Sequence, residues 1–249
     1  MSAPVLKVEG IRKAYGAIQA VGGVSFEVFP GEIFGVIGPN GSGKTTLFNS
    51  MLGQIKPDAG SISLKSENIS GLSPLQLSRK GVGRTFQTLQ VFGKLSVRDN
   101  LIVAAQEHQK SMFGRLFSPS DSGLTKRANE LIALFRIEQV ADLPAGSLSY
   151  GQQKLVDIAM AFMSEPSLVL LDEPCAGVNP SLVGGISTLL KQLNQKYPDK
   201  AFVVIEHNME FVMNLCHRIL VMVEGEVLAV GTPAEIRGNQ AVLDAYLGN

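Results

Sequence analysis

The chain has 249 residues, with 22 basic and 22 acidic side chains and a hydrophobic fraction of 45%. That length fits one large α/β domain or one domain with a sub-lobe, and the neutral balance without a basic run argues against nucleic acid as the main partner. No apolar run approaches the ~20 residues needed to cross a bilayer, no charged segment followed by an apolar one opens the chain, and Cys175 and Cys216 give neither a disulfide framework nor zinc spacing, so the chain is expected to stay in the cytosol.

In chain order, Val5 to Val8, Val24 to Val28 and Ile33 to Ile37 read as strands. The last leads into Gly38-Pro39-Asn40-Gly41-Ser42-Gly43-Lys44-Thr45-Thr46, which fits the P-loop pattern G-x-x-x-x-G-K-[ST]. Few Cβ atoms let successive backbone N–H groups curl around a polyphosphate. Lys44 is placed to reach the β and γ phosphates, and the Thr45 hydroxyl to meet Mg²⁺. Thr45 to Leu52 reads as a helix with Gly53 at its C-terminal cap. The phosphates would sit at that helix's N-terminus, where orphan N–H groups and the dipole favour negative charge.

Residues 58–64 read as a turn into another strand, and Pro74 to Arg79 as a short helix. Residues 97–142 look mainly helical, broken by a loop over Phe117 to Gly123, and Pro144 and Gly146 end that lobe. Strand and helix then alternate: helix Val156–Met163, strand Leu168–Leu171, helix Leu182–Asn194, strand Ala201–Ile205 and helix Met209–Cys216. A hairpin follows, Ile219–Val223 and Glu226–Val230, turning at Glu224-Gly225. Alternation around a P-loop predicts a mainly parallel sheet covered on both faces, with the middle helices as an insertion.

Leu168-Val-Leu-Leu-Asp172-Glu173-Pro174 is a buried strand ending in two carboxylates. Asp172 at its carboxyl end is placed to hold the Mg²⁺ shell, and Glu173 to polarise an attacking water. Leu148-Ser149-Tyr150-Gly151-Gln152-Gln153 follows the helical stretch and resembles the signature motif of ATP-binding-cassette (ABC) ATPases. Gln87 in Gly83-Arg-Thr-Phe-Gln87 resembles that family's Q-loop, His207 its switch histidine, and Tyr15 the aromatic that stacks on adenine. The landmarks appear in family order and the resemblance covers essentially the whole chain.

The resemblance implies an α/β fold with an ABC-type P-loop NTPase core, an N-terminal antiparallel β-subdomain and an inserted α-helical lobe. All of 1–249 would be a single nucleotide-binding domain, with 1–84 and 155–249 as core and 85–154 as the lobe carrying the signature. It implies an ATPase using ATP and Mg²⁺. Glu173, His207, Lys44 and Gln87 would carry catalysis, and Thr45, Gln87 and Asp172 would serve the metal. Tyr15, residues 38–46, and Ser149, Gly151 and Gln152 of the signature would bind nucleotide between two cassettes closed head to tail. Two residues depart from the family pattern: Tyr150 stands where the signature usually has Gly, and Asn179 where many cassettes carry Asp.

The Gly-Arg-Thr-Phe-Gln form of the Q-loop, the Phe113-Gly-Arg-Leu-Phe insertion, Glu173 to Pro180, Ile205 to Met209 and the tail Asp244-Ala-Tyr-Leu-Gly narrow the likeness. They are similar to the ATPase subunits of branched-chain (Liv-type) amino-acid importers, whose relatives serve neutral amino acids, urea or short amides. This implies membrane permease subunits as partners, a place on the inner face of the cell membrane, and a second cassette, a different gene product ahead of an identical one. Alternatives are a urea or short-amide importer and a soluble non-transport ABC ATPase; the latter typically has two cassettes in one chain or a long coiled-coil insertion, and neither is visible here. Leu89, Val91, Phe92 and Leu95, dense and apolar just after Gln87, suggest either a groove for a short helix of another chain or packing inside the lobe.

Overall fold

A computed structural model describes residues 2–85, 89–106 and 121–247. From the N-terminus come β1 (Leu6–Tyr15), β2 (Ile18–Val28), β3 (Ile33–Ile37), α1 (Lys44–Met51), β4 (Ala59–Leu64), β5 (Glu67–Asn68), α2 (Pro74–Arg79) and β6 (Val82–Arg84). There follow α3 (Val97–Gln106), α4 (Asp121–Phe135), α5 (Tyr150–Phe162), β7 (Leu168–Asp172), α6 (Pro180–Lys196) and β8 (Ala201–Ile205). The chain closes with α7 (Met209–Leu215), β9 (Arg218–Val223), β10 (Glu226–Gly231), α8 (Pro233–Arg237) and α9 (Gln240–Leu247).

One sheet is antiparallel, ordered β2-β1-β4-β5; the other is ordered β10-β9-β3-β8-β7-β6. In the second, β9, β3, β8, β7 and β6 run parallel and only the edge strand β10 runs against them. The period of two along each strand sends alternate side chains to opposite faces. Val169 and Leu171 of β7, with Phe202 and Val204 of β8, join the helical face formed with α3 to α9. Leu168, Leu170, Val203 and Ile205 join α1 and the antiparallel sheet on the other. Both faces are covered, which is why these strands read as unbroken apolar runs. The Glu224-Gly225 turn has positive φ at both positions (48° and 82°), as a two-residue hairpin turn requires.

Several expected boundaries are corrected. β1 and β2 run well past Val8 and start well before Val24, because register shifts absorb the glycines that look like breaks, among them Gly10 and Gly23 at φ 59° and 110°. Asp121 to Gly123 belong to α4 rather than to a loop; Phe117 to Ser120 and the insertion at Phe113 lie outside the described residues. α5 starts at Tyr150, so the signature residues occupy its cap and first turn rather than preceding the helix. α6 starts at Pro180, with Asn179 capping it by accepting from the Ser181 amide. After Val230 the chain adds two helices the pattern did not give. Thr232-Pro-Ala-Glu235 is a capping box with Pro at the first helical turn, a legible start signal for α8.

Candidate active site

The carboxyl ends of β3, β8 and β7 lie side by side, and each delivers candidate site residues to the same edge of the sheet. β3 runs into the P-loop and α1. Gly43 sits at φ 94°, and a Cβ there would meet the Ala20 carbonyl at 2.0 Å. A side chain is therefore excluded both by conformation and by β2 pressing on the loop. Ser42 is buried; Thr45 is exposed and Thr46 partly so. Lys44 Nζ donates to the carbonyls of Gly38 (2.8 Å) and Pro39 (2.9 Å) and approaches Ser42 Oγ at 3.4 Å. Burial pulls its pKa down, while the neighbouring Glu173 carboxylate acts the other way.

β7 carries Asp172 to that edge, where its amide donates to the buried Thr85 hydroxyl at 3.1 Å. Burial pushes the Asp172 carboxyl up to about 6; Glu173 and Glu206 add to the rise, and the buried ammonium of Lys154 on α5 opposes it. Glu173 follows with φ 45°, a left-handed conformation fixed by a 2.9 Å hydrogen bond from its amide to the Ile205 carbonyl. Such a conformation in a non-glycine residue costs on the order of 1 kcal/mol. It redirects the chain straight after the strand, so that Asp172 and Glu173 do not simply alternate. From the end of β8, His207 Nδ1 stands 3.7 Å from Glu173 Oε1, with His207 largely exposed and Glu173 partly buried.

Glu206, which is not among the site residues expected from sequence, organises this edge. It is 1% exposed. One oxygen accepts from the Cys175 amide (2.8 Å) and the other from the amides of His207 (3.0 Å) and Asn208 (3.2 Å). It ties the turn after Glu173 to the turn carrying His207. The available signal was a carboxylate following directly on a fully apolar strand, Ala201 to Ile205, which needs backbone donors to be tolerable.

Ser149, Gly151 and Gln152 form the N-terminus of α5. Ser149 Oγ and the Gln152 side chain make a reciprocal capping box. Among the described residues, no hydrogen bond or ion pair joins these three to residues 38–46, Asp172, Glu173 or His207. Tyr150 packs on the turn before α6: a Cβ on Gly177 would meet its ring at 2.9 Å. Tyr15 ends β1, 49% exposed, with Lys13 Nζ 5.6 Å from the ring centroid. Gln87 lies outside the described residues. Val91 packs on the helical core, whereas Phe92 (51%) and Leu95 (36%) are exposed.

The oxygen donors of Thr45 and Asp172 are of the kind Mg²⁺ selects. A carboxyl raised by burial and by two neighbouring acids is also an anion in want of a cation, so the residues present fit the metal.

A family model described as "ABC transporter" matches residues 21–176, and one described as "Branched-chain amino acid ATP-binding cassette transporter" matches residues 226–249. The chain is 38% identical over 254 residues to the high-affinity branched-chain amino acid transport ATP-binding protein LivG of Escherichia coli (strain K12), covering 100% of this chain and 99% of LivG. Among solved structures it is similar to an ATP-binding cassette of an ABC transporter in its ADP conformation, with TM-score 0.89, 32% identity and full coverage of both chains. It is also similar to a dimeric cassette in a post-hydrolysis state with ADP and Pi, with TM-score 0.78, 26% identity, and 92% of this chain and 98% of that one covered. The fold is that of a known group, and the chain belongs to the ABC transporter family of ATP-binding cassettes.

Proposed function

We propose that this chain is the ATP-hydrolysing subunit of a membrane importer for branched-chain amino acids. The observation that carries the reading is the meeting of Lys44, Asp172, Glu173 and His207 at one sheet edge, with His207 3.7 Å from Glu173. Phosphoryl transfer to water needs positioning and charge stabilisation more than covalent chemistry. The loop amides of residues 38–46 and the Lys44 ammonium would hold the β and γ phosphates. Glu173 would accept a proton from the attacking water, and His207 would hold that water and the γ-phosphate in line. Thr45 and Asp172, joined by Gln87, would hold Mg²⁺, which when bound supplies neutralisation of the phosphate oxygens. Tyr15, exposed at the end of β1, offers its face to an adenine.

Among the described residues the signature end of α5 has no polar link to this cluster, which supports its use by a second cassette. There the Ser149 hydroxyl and the first-turn amides would face the partner's γ-phosphate. The dimeric state of the similar cassette supports a second cassette at this end; we take a different gene product as that partner ahead of an identical one. No helix among the described residues is long and apolar enough to cross a membrane. The likeness to transport ATP-binding proteins supports separate permease subunits as the translocating partners, and we place this chain on the inner face. Phe92 and Leu95 are the exposed apolar residues we assign to that contact. Phe92 is held from behind: its amide donates to Asn100 Oδ1 at 2.7 Å, and the Asn100 amide nitrogen donates back to the Phe92 carbonyl at 3.1 Å.

The test is Glu173→Gln in the purified chain. The amide cannot take the proton, so MgATP should still bind while turnover falls by at least roughly 100-fold, the scale of general-base catalysis. Native turnover in that variant would remove Glu173 from the mechanism.

A further inference from the structure

β1 outlasts its neighbour on one side. β4 pairs with it only as far as Arg12, opposite Ala59, whereas β2 accompanies it to the end, where Tyr15 pairs with Ile18. Lys13, Ala14 and Tyr15 are therefore unpaired on the β4 side. Asp58, the residue before β4, fills that place with its side chain. One carboxylate oxygen accepts from the Ala14 amide at 2.8 Å and the other from Lys13 Nζ at 2.7 Å. The Asp58 amide donates to the Arg12 carbonyl at 2.8 Å, so the acid is itself anchored on the strand it holds.

This clamp closes on the two residues that precede Tyr15. The ammonium that Asp58 holds stands over the Tyr15 ring, 5.6 Å from its centroid, a distance at which a cation is attracted to an aromatic face. The ring is still half exposed. The hairpin end that carries it stands beside the phosphate loop. Ala20, just past Ile18 on β2, presses its carbonyl on Gly43, and a Cβ on Gly225 would meet the Gln19 and Ala20 carbonyls at 2.9 and 3.0 Å. The Gly225 amide in turn donates to the Ser42 carbonyl at 3.1 Å.

Magnitudes separate the two bonds of the clamp. The Lys13 pair lies at the surface, with the Asp58 side chain 49% exposed, and such pairs are screened and contribute little. The Ala14 bond is charge-assisted and fixes the main chain itself, one residue from the ring.

We propose that Asp58 is a positioning residue for the nucleotide base: by taking the Ala14 amide it fixes the end of β1, and with it the Tyr15 ring, so that the stacking face is set before the base arrives. Order present in advance is not subtracted from affinity on binding. This rests on the reading of Tyr15 as the adenine platform.

The experiment uses the full chain with two ligands, MgADP and magnesium pyrophosphate, the second having phosphates and no base. Asp58→Ala should bind MgADP roughly threefold to fivefold more weakly, the scale of one hydrogen bond, and should bind pyrophosphate as the parent does. Asp58→Asn keeps an oxygen for the Ala14 amide and should bind MgADP more tightly than Asp58→Ala. In a Tyr15→Ala background, Asp58→Ala should weaken MgADP no further, because the ring it positions is gone. Parent-like MgADP affinity in Asp58→Ala overturns the proposal. So does an equal loss for pyrophosphate, which would mean a disturbance of the phosphate loop rather than of the base platform. An Asn variant no better than the Ala variant overturns it too, as does an undiminished loss in the Tyr15→Ala background. Tyr15→Ala by itself tests the underlying reading. If it binds MgADP like the parent, Tyr15 is not the platform and the clamp has nothing to position; if it binds more weakly while Asp58→Ala does not, the clamp alone is wrong.

Discussion

Asp172 shows how one residue sets stability against function. Its carboxyl titrates near 6 in the folded chain against an ordinary value of 3.8. Between those values the folded chain holds a proton that the unfolded chain has released, so this group's contribution to stability falls as pH rises from about 4 to about 6 and stays low above that. One pKa unit is about 1.4 kcal/mol, and solvent screening at a partly exposed carboxyl brings the effect to about 1–2 kcal/mol. Asp172→Asn should therefore melt roughly 2–6 °C higher than the parent at pH 8 in EDTA, with the gain gone at pH 4. Mg²⁺ should stabilise the parent and leave the variant unmoved. Thermal melts at the two pH values check this; a variant less stable at pH 8 would mean that burial is not the dominant influence on Asp172.

At the scale of elements, the site exists because three parallel strands end together and short connections hold their ends in register. Glu206 is the main connector, since its two oxygens take three amides from the segments following β7 and β8. Removing a buried acceptor of this kind leaves its donors unsatisfied, at a cost of about 3–5 kcal/mol. Glu206→Ala should lower the melting temperature by roughly 10 °C and should also release His207 from Glu173. The check is a turnover loss that persists well below the variant's melting temperature. Full activity there would show that His207 holds its place without Glu206. Asn179 illustrates the same economy on α6. As a cap it needs only a side-chain oxygen for the Ser181 amide, so the absence of a charge at this position costs the helix nothing.

For the whole molecule, the cluster of Lys44, Asp172, Glu173 and His207 faces the sheet edge, while the exposed pair Phe92 and Leu95 lies beyond β6 on the way into the helical lobe. A charged residue at Phe92 should spare the fold, because the ring is half exposed and its backbone is held by Asn100. Phe92→Asp is expected to melt within about 1 °C of the parent, as surface changes do, and to bind ATP normally. It should fail to co-purify with membrane subunits and fail to drive uptake. Intact assembly and uptake would place the coupling surface elsewhere; a collapsed melting temperature would place Phe92 in the core.

Local chemistry decided much of this protein from sequence alone. The glycines and lysine of residues 38–46, the apolar strand ending at Asp172, and the Glu224-Gly225 turn are each readable because their cause lies within a few neighbouring residues. The mainly parallel sheet was also legible, since strands buried on both faces leave runs such as Ala201 to Ile205. What sequence could not supply was anything made by residues far apart in the chain. The extent of β1 and β2 depends on bulges that only pairing reveals. Gly43 is forced as much by the Ala20 carbonyl as by its own turn. Glu206 looks like an ordinary surface acid until the fold brings the Cys175 amide to it. Burial and close approach are properties of the packed chain, and at these positions they, rather than local propensity, determine what each residue does.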